Sequence, residues 1–320
     1  MSAGYQPGMM KPPFRTAAVA FALLAVPLAP LTARAAALQT LPTADAQFDS
    51  GSLHVLRVGK GDPVVLLPGL ATGPWEWSDL IRRLAPRHTV YAVALPGFDG
   101  RPPAAAPLFD RVTGDFWAML DAQKIARPVV IGHSLGGTLA IRLGEQHPER
   151  LRGVVALDGL PIFPGMERVT AEQRAGAAQQ ASGPIAGQTR EQLLAFEKSY
   201  MKGAGGVLDA QLADQLAELE ANSDTSAVAQ WLREDFGGDL RPDLAKITVP
   251  LLEIVPYNAP DLANAPQSYT AEQKVMYYRG LLAGAPKLQV VSVSPARHFA
   301  MFDQPDKIFA IVNAFLDATP

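Results

Sequence analysis

The run Pro128-Val129-Val130-Ile131-Gly132-His133-Ser134-Leu135-Gly136-Gly137-Thr138-Leu139-Ala140-Ile141-Arg142-Leu143 decides the fold. Its first four residues form a short apolar run that suits a strand buried on both faces, and its last six have helical spacing. Between them, Gly132-His133-Ser134-Leu135-Gly136 fits the pattern Gly-x-Ser-x-Gly. A strand that turns into a helix this sharply forces unfavourable backbone angles on the central residue, and glycine two places away on either side lets strand and helix approach without Cβ collisions. The expected result is a serine hydroxyl exposed at the C-terminal edge of a sheet. Behind it, a helix N-terminus offers N–H groups and a positive dipole end to a developing negative charge.

Working outward, short β-branched runs alternate with helical patterns from about Phe48 onward, which predicts a mostly parallel sheet flanked by helices. Leu53 to Val58 and Val64 to Leu67 flank the turn Gly59-Lys60-Gly61-Asp62-Pro63 and read as two strands paired with each other. Val90 to Leu95, Val129 to Ile131, Val154 to Leu157, Leu251 to Val255 and Leu288 to Val293 read as further strands, each apolar on both faces. Helices are expected over Trp77 to Leu84, Phe109 to Lys124, Leu135 to Gln146, Ala271 to Leu282 and Asp306 to Leu316. The segment from about 161 to 246 has no strand-like run and is too long for a connection, so it reads as several helices forming a cap.

The chain has 320 residues, a formal net charge of −3, 48% hydrophobic residues and no cysteine. That composition supports a sizeable core and excludes disulfides, thiol nucleophiles and Cys-ligated metals. Without a basic run, nucleic acid is not an expected partner. No acidic residue precedes Asp45, whereas Lys11, Arg15 and Arg34 all fall in the opening stretch. A basic n-region, the apolar run Thr16 to Leu31 and the small residues of Ala33-Arg34-Ala35 read as a signal peptide over residues 1–35. Residues 36–320 would then be a periplasmic or secreted protein with no stable membrane insertion after cleavage.

Gly132-His133-Ser134-Leu135-Gly136 in its strand–turn–helix setting resembles the nucleophile elbow of the α/β-hydrolase family, and the resemblance covers residues 50 to 318. Leu67-Pro68-Gly69-Leu70-Ala71-Thr72-Gly73 is similar to the family's oxyanion loop, with Pro68 where a histidine is more usual. The resemblance implies a Ser134 nucleophile and oxyanion donors at the N–H groups of Leu70 and Leu135. It also implies that His298, in Pro295-Ala296-Arg297-His298-Phe299 after the last strand, is the general base. For the acid it points to Asp261, the one carboxylate in the loop after Pro250 to Pro256, with Asp158 at the end of Val154 to Leu157 as the competitor. Glu253 is expected to be a buried or edge residue, and His133 to pack beneath the serine. Trp75, Trp77, Phe98, Phe163, Met166 and Trp231 are candidates for an apolar pocket under the cap. The implied activity is cleavage of a small to medium carboxylic ester through an acyl-serine, with no metal or organic cofactor. Amidase, lactonase, cofactor-free haloperoxidase or acyltransferase chemistry and a non-catalytic binding module are the alternatives. An aspartate-nucleophile epoxide hydrolase or dehalogenase is disfavoured by the serine at position 134.

Overall fold

The computed structural model describes residues 40–262 and 268–319; the expected signal peptide lies outside them. Eight strands form one sheet among the described residues: β1 (Ala46–Ser50), β2 (Leu53–Val58), β3 (Asp62–Leu67), β4 (His88–Ala94), β5 (Val129–His133), β6 (Gly153–Leu157), β7 (Leu251–Pro256) and β8 (Leu288–Val293). Their spatial order is β1-β2-β4-β3-β5-β6-β7-β8. The pairs β1–β2 and β2–β4 are antiparallel, and every later pair is parallel.

The expected pairing of the two strands around Gly59-Lys60-Gly61 is corrected here, because β4 lies between β2 and β3. Val64 to Leu67 are almost fully buried on both faces. Such a strand needs a parallel neighbour on each side, and β4 and β5 supply them. Each aliphatic side chain removed from water there contributes about 1.5–3 kcal/mol. The expectation for Leu288 to Val293 also changes. β8 is the sheet's edge, and most of its residues are half-buried or exposed.

The helices are α1 (Ser78–Leu84), α2 (Leu108–Ala122), α3 (Leu135–Gln146), α4 (Ala171–Ser182), α5 (Arg190–Lys202), α6 (Ala210–Glu220), α7 (Thr225–Gly237), α8 (Ala271–Leu281), α9 (Ala300–Asp303) and α10 (Pro305–Ala318). Apolar residues of α2, α3 and α8 pack in one cluster against the sheet, and those of α1 and α10 in a second. Both faces of the central strands are therefore covered.

Helices α4 to α7 fill the segment read as a cap. Their starts are written locally: Thr170 with Gln173 and Thr189 with Gln192 form capping boxes, while Asp209 and Asp224 accept hydrogen bonds from the first-turn N–H groups of α6 and α7. The cap is held to the sheet's loops by named bonds. Trp231 Nε1 donates to the Pro96 carbonyl at 3.1 Å, Ser223 Oγ to the Ala71 carbonyl at 2.9 Å, and the N–H groups of Leu108 and Phe109 to the Glu234 carboxylate. Of these residues, Ala71 also lines the cavity described next.

Candidate active site

Ser134 lies between the end of β5 and the start of α3, with φ 50° and ψ −120°. A residue bearing a Cβ is held there at a cost on the order of 1–3 kcal/mol. Neighbouring glycines make the turn possible. A Cβ on Gly132 would stand 1.9 Å from the Gly136 carbonyl oxygen, and one on Gly136 would stand 2.4 Å from that of Leu67. Leu135 is the first residue of α3, so its N–H has no intrahelical acceptor. Leu70 lies in the turn after β3, and both leucines line the same cavity as Ser134.

A buried glutamate organises that turn. Glu76 accepts from the Gly69 N–H at 3.2 Å and from Thr72 Oγ1 at 2.7 Å. Its Oε2 also lies 3.3 Å from His133 Nδ1, while His133 Nε2 donates to the His298 carbonyl oxygen at 3.2 Å. His133 is fully buried, and its ring lies 4.6 Å from that of His298. Thus the histidine expected beneath the serine links the Leu70 turn to the His298 loop.

His298 follows β8 and lines the cavity with Ser134. Its Nδ1 meets Asp158 Oδ2 at 2.5 Å. Asp158 directly follows β6 with φ 51°, in the left-handed region. The second oxygen, Oδ1, accepts from Tyr278 Oη at 2.5 Å and lies 3.9 Å from Lys274 Nζ, both on α8. Burial alone would raise the Asp158 pKa. The Lys274 charge together with hydrogen bonds from His298 and Tyr278 outweighs it, and the carboxyl sits well below the usual range. His298 is pulled the other way by its surroundings: burial lowers its pKa below the ordinary 6.5 and prevails over the Asp158 hydrogen bond that raises it. The resting pair at neutral pH is therefore a carboxylate and a neutral imidazole, whose Nε2 is free to take a proton.

The expectation for Asp261 is corrected by this geometry. Asp261 lies in the short helix Ala259–Leu262, and both its oxygens are held by Arg297, at 2.9 Å from Nε and 2.6 Å from Nη2. That bidentate pairing keeps its carboxyl ionised and lowers its pKa. Arg297 Nη1 also donates to the carbonyls of Lys202 and Val207, so the pair ties the His298 loop to the end of α5. Arg297, adjacent to His298 in sequence, was the available signal: a guanidinium one residue from His298 competes with it for a nearby carboxylate.

Other expectations divide. Glu253 is fully buried within β7, and burial raises its pKa well above the ordinary value. Of the six apolar pocket candidates, Phe163 lines the cavity. Trp75, Trp77, Phe98 and Trp231 are core residues, and Met166 packs against the core from a partly buried position. The cavity measures about 360 Å³ and is walled by Leu160, Ile162, Val228, Leu232 and Phe236 in addition. Glu76, Tyr278 and Lys274 were not singled out from the sequence, because nothing in helical spacing tells which polar residue of a helix will face a strand end.

The family profile described as the Alpha/beta hydrolase family matches residues 64–311. The chain belongs to that family. It is 29% identical over 215 residues to a pimeloyl-[acyl-carrier protein] methyl ester esterase of Aeromonas hydrophila subsp. hydrophila, covering 63% of this chain and 79% of the relative. The similar esterase of Shewanella woodyi is 28% identical over 214 residues, covering 64% and 78%. Among solved structures, the enol-lactonase from Burkholderia xenovorans LB400 superposes with a TM-score of 0.61 at 20% identity, covering 83% of this chain and 96% of that one. A thermophilic esterase from Thermogutta terrifontis superposes with a TM-score of 0.65 at 17% identity, covering 86% and 99%. At these identities the structures speak for the α/β-hydrolase fold alone, which the sheet order and the strand–Ser134–α3 turn share.

Proposed function

We propose that this hydrolase cleaves carboxylic esters through an acyl-enzyme, with Ser134 as nucleophile, His298 as general base and Asp158 as the acid that orients it. The observation that carries this reading is the 2.5 Å pairing of His298 Nδ1 with Asp158 inside the cavity that Ser134 lines. In acylation, Ser134 Oγ attacks the ester carbonyl as its proton passes to His298 Nε2. The N–H groups of Leu70 and Leu135 take the charge on the carbonyl oxygen. Collapse of the tetrahedral intermediate expels the alcohol, which leaves with the proton from His298. A water molecule then attacks the acyl carbon, giving its proton to His298, and Ser134 is regenerated as the carboxylic acid departs. Asp158 stays ionised throughout and stabilises the imidazolium that forms twice per cycle. The methyl ester esterases among its relatives and an apolar cavity of about 360 Å³ favour an ester of small to medium size.

The acid-free, basic-then-apolar opening of the sequence further supports export to the periplasm or beyond, as a chain released by signal cleavage. Among the described residues no helix is long and apolar enough to cross a membrane.

Labelling tests the mechanism directly. A fluorophosphonate should modify the protein once, on the peptide carrying Ser134, and a short p-nitrophenyl ester should slow the labelling; label on another residue, or none, would overturn the assignment. The pH profile of kcat/KM should fall on its acid side with a midpoint below 6.5. Protonation removes the base, and burial places that protonation lower than in free histidine. An acid limb centred above pH 7 would contradict His298 as the titrating group.

A further inference from the structure

Glu76, Thr72 and His133 are buried side by side, and the steps of ester cleavage above use none of them. They reach two parts of the site. On one side is the peptide between Gly69 and Leu70. A trans peptide is planar, so its C=O and N–H point in opposite directions, and fixing the first aims the second. The Gly69 carbonyl accepts from the Thr72 N–H at 3.3 Å and lies 3.0 Å from Thr72 Oγ1, which itself meets Glu76 at 2.7 Å. The Gly69 N–H donates to Glu76. A Cβ on Gly69 would stand 2.9 Å from His133 Nδ1, so the turn rests directly on the His133 ring. On the other side, His133 Nε2 holds the carbonyl of His298 at 3.2 Å.

A carbonyl only accepts, so Nε2 carries a proton. His133 Nδ1 then faces Glu76 Oε2 at 3.3 Å, and the contact needs a second proton between them. Loss of either partner strands a buried polar atom of the other, so the two side chains hold their places jointly. We propose that Glu76 and His133 are a positioning pair for ester cleavage: they keep the peptide that presents the Leu70 N–H and the loop that presents His298 at a fixed spacing. The proposal rests on the esterase reading above and adds to it what aims the oxyanion donor and the base together.

The experiment measures kcat per active site for a p-nitrophenyl ester, with sites counted by fluorophosphonate titration to completion. Glu76→Ala and His133→Phe should each lower that kcat by about 10²-fold with KM little changed, the loss expected of a misplacement of about 1 Å. Glu76→Gln should stay within about fivefold of wild type, because its carbonyl can accept from the Gly69 N–H while its amide N–H supplies the proton that His133 Nδ1 needs. A trifluoromethyl ketone adds to Ser134 and places an oxyanion against the N–H groups of Leu70 and Leu135, so its Ki should rise in step with the fall in kcat. The two losses should not multiply when Glu76→Ala and His133→Phe are combined, since groups that act as a unit are lost together. A merely structural clasp would lower Tm and the fraction of titratable sites while kcat per site and the ketone Ki stayed at wild-type values; that result overturns the proposal, as does full multiplication of the losses in the combined variant. Should Glu76→Ala yield no folded protein, Thr72→Val decides in its place: it removes one hydroxyl from the same turn at constant volume, and an unchanged kcat per site there and in His133→Phe refutes the pair. A wild-type protein that fluorophosphonate does not label sinks the esterase reading, whereas a labelled wild type with unaffected variants sinks only the positioning role.

Discussion

Replacing Ser134 with Ala is expected to lower kcat for a p-nitrophenyl ester by about 10⁶-fold, the scale reached when the nucleophile of a serine triad is removed. The change removes one oxygen and leaves the turn's geometry to its neighbours. Ser134 donates its backbone N–H to the Leu157 carbonyl at 3.0 Å, and its own carbonyl accepts from Thr138 at 3.0 Å. Neither bond uses the hydroxyl, so the fold should survive, and an unchanged Tm is the control. The residue must also tolerate φ 50°, which alanine does no worse than serine. KM is expected to change little, because the cavity walls and the N–H groups of Leu70 and Leu135 remain. A variant that kept more than about one hundredth of wild-type turnover, with a single clean burst absent, would mean that the ester is cleaved without Ser134 and that the nucleophile lies elsewhere.

The elbow that holds Ser134 was legible because everything that makes it is local: a β-rich run, two glycines at fixed offsets and a helix, all within sixteen residues. The place of His298, the proposed base, followed from the family's chain order. The carboxylate beside it was not legible, since it depends on which of two acids reaches His298. Three tertiary facts favour Asp158: its own left-handed turn, the support of Tyr278 and Lys274 from α8, and the capture of Asp261 by Arg297. The misjudged β2–β3 pairing has a similar cause. A glycine-rich turn between two strands predicts a hairpin locally, but the burial of Val64 to Leu67 on both faces demands two neighbours and outweighs it. One buried acid of the cap, Glu197, was readable only as spacing. Leu193, Glu197 and Met201 recur every four residues and are all buried, so Glu197 occupies the inner face of α5 where an apolar residue would be ordinary. Spacing alone assigns the face and not what the face looks onto, which required the cavity.

Asp158→Asn and Asp261→Asn, measured side by side, should separate by orders of magnitude. An asparagine at 158 can present its amide N–H to His298 Nδ1. The imidazole would then carry its proton on Nε2, the atom that must accept from Ser134, and the imidazolium would lose its counter-charge. The expected loss is about 10⁴-fold in kcat with KM little changed. Asp261→Asn removes charge from a bidentate pair whose side chains are about one-sixth exposed and which touches neither Ser134 nor the His298 ring. A pair of that exposure is worth about 1 kcal/mol, so Tm should fall by a few degrees, and kcat by less than about tenfold, through loosening of the Arg297 bonds to Lys202 and Val207. A collapse of kcat in Asp261→Asn with Asp158→Asn near wild type would return the acid's role to the loop after β7. It would also require His298 to turn away from Asp158 when substrate binds.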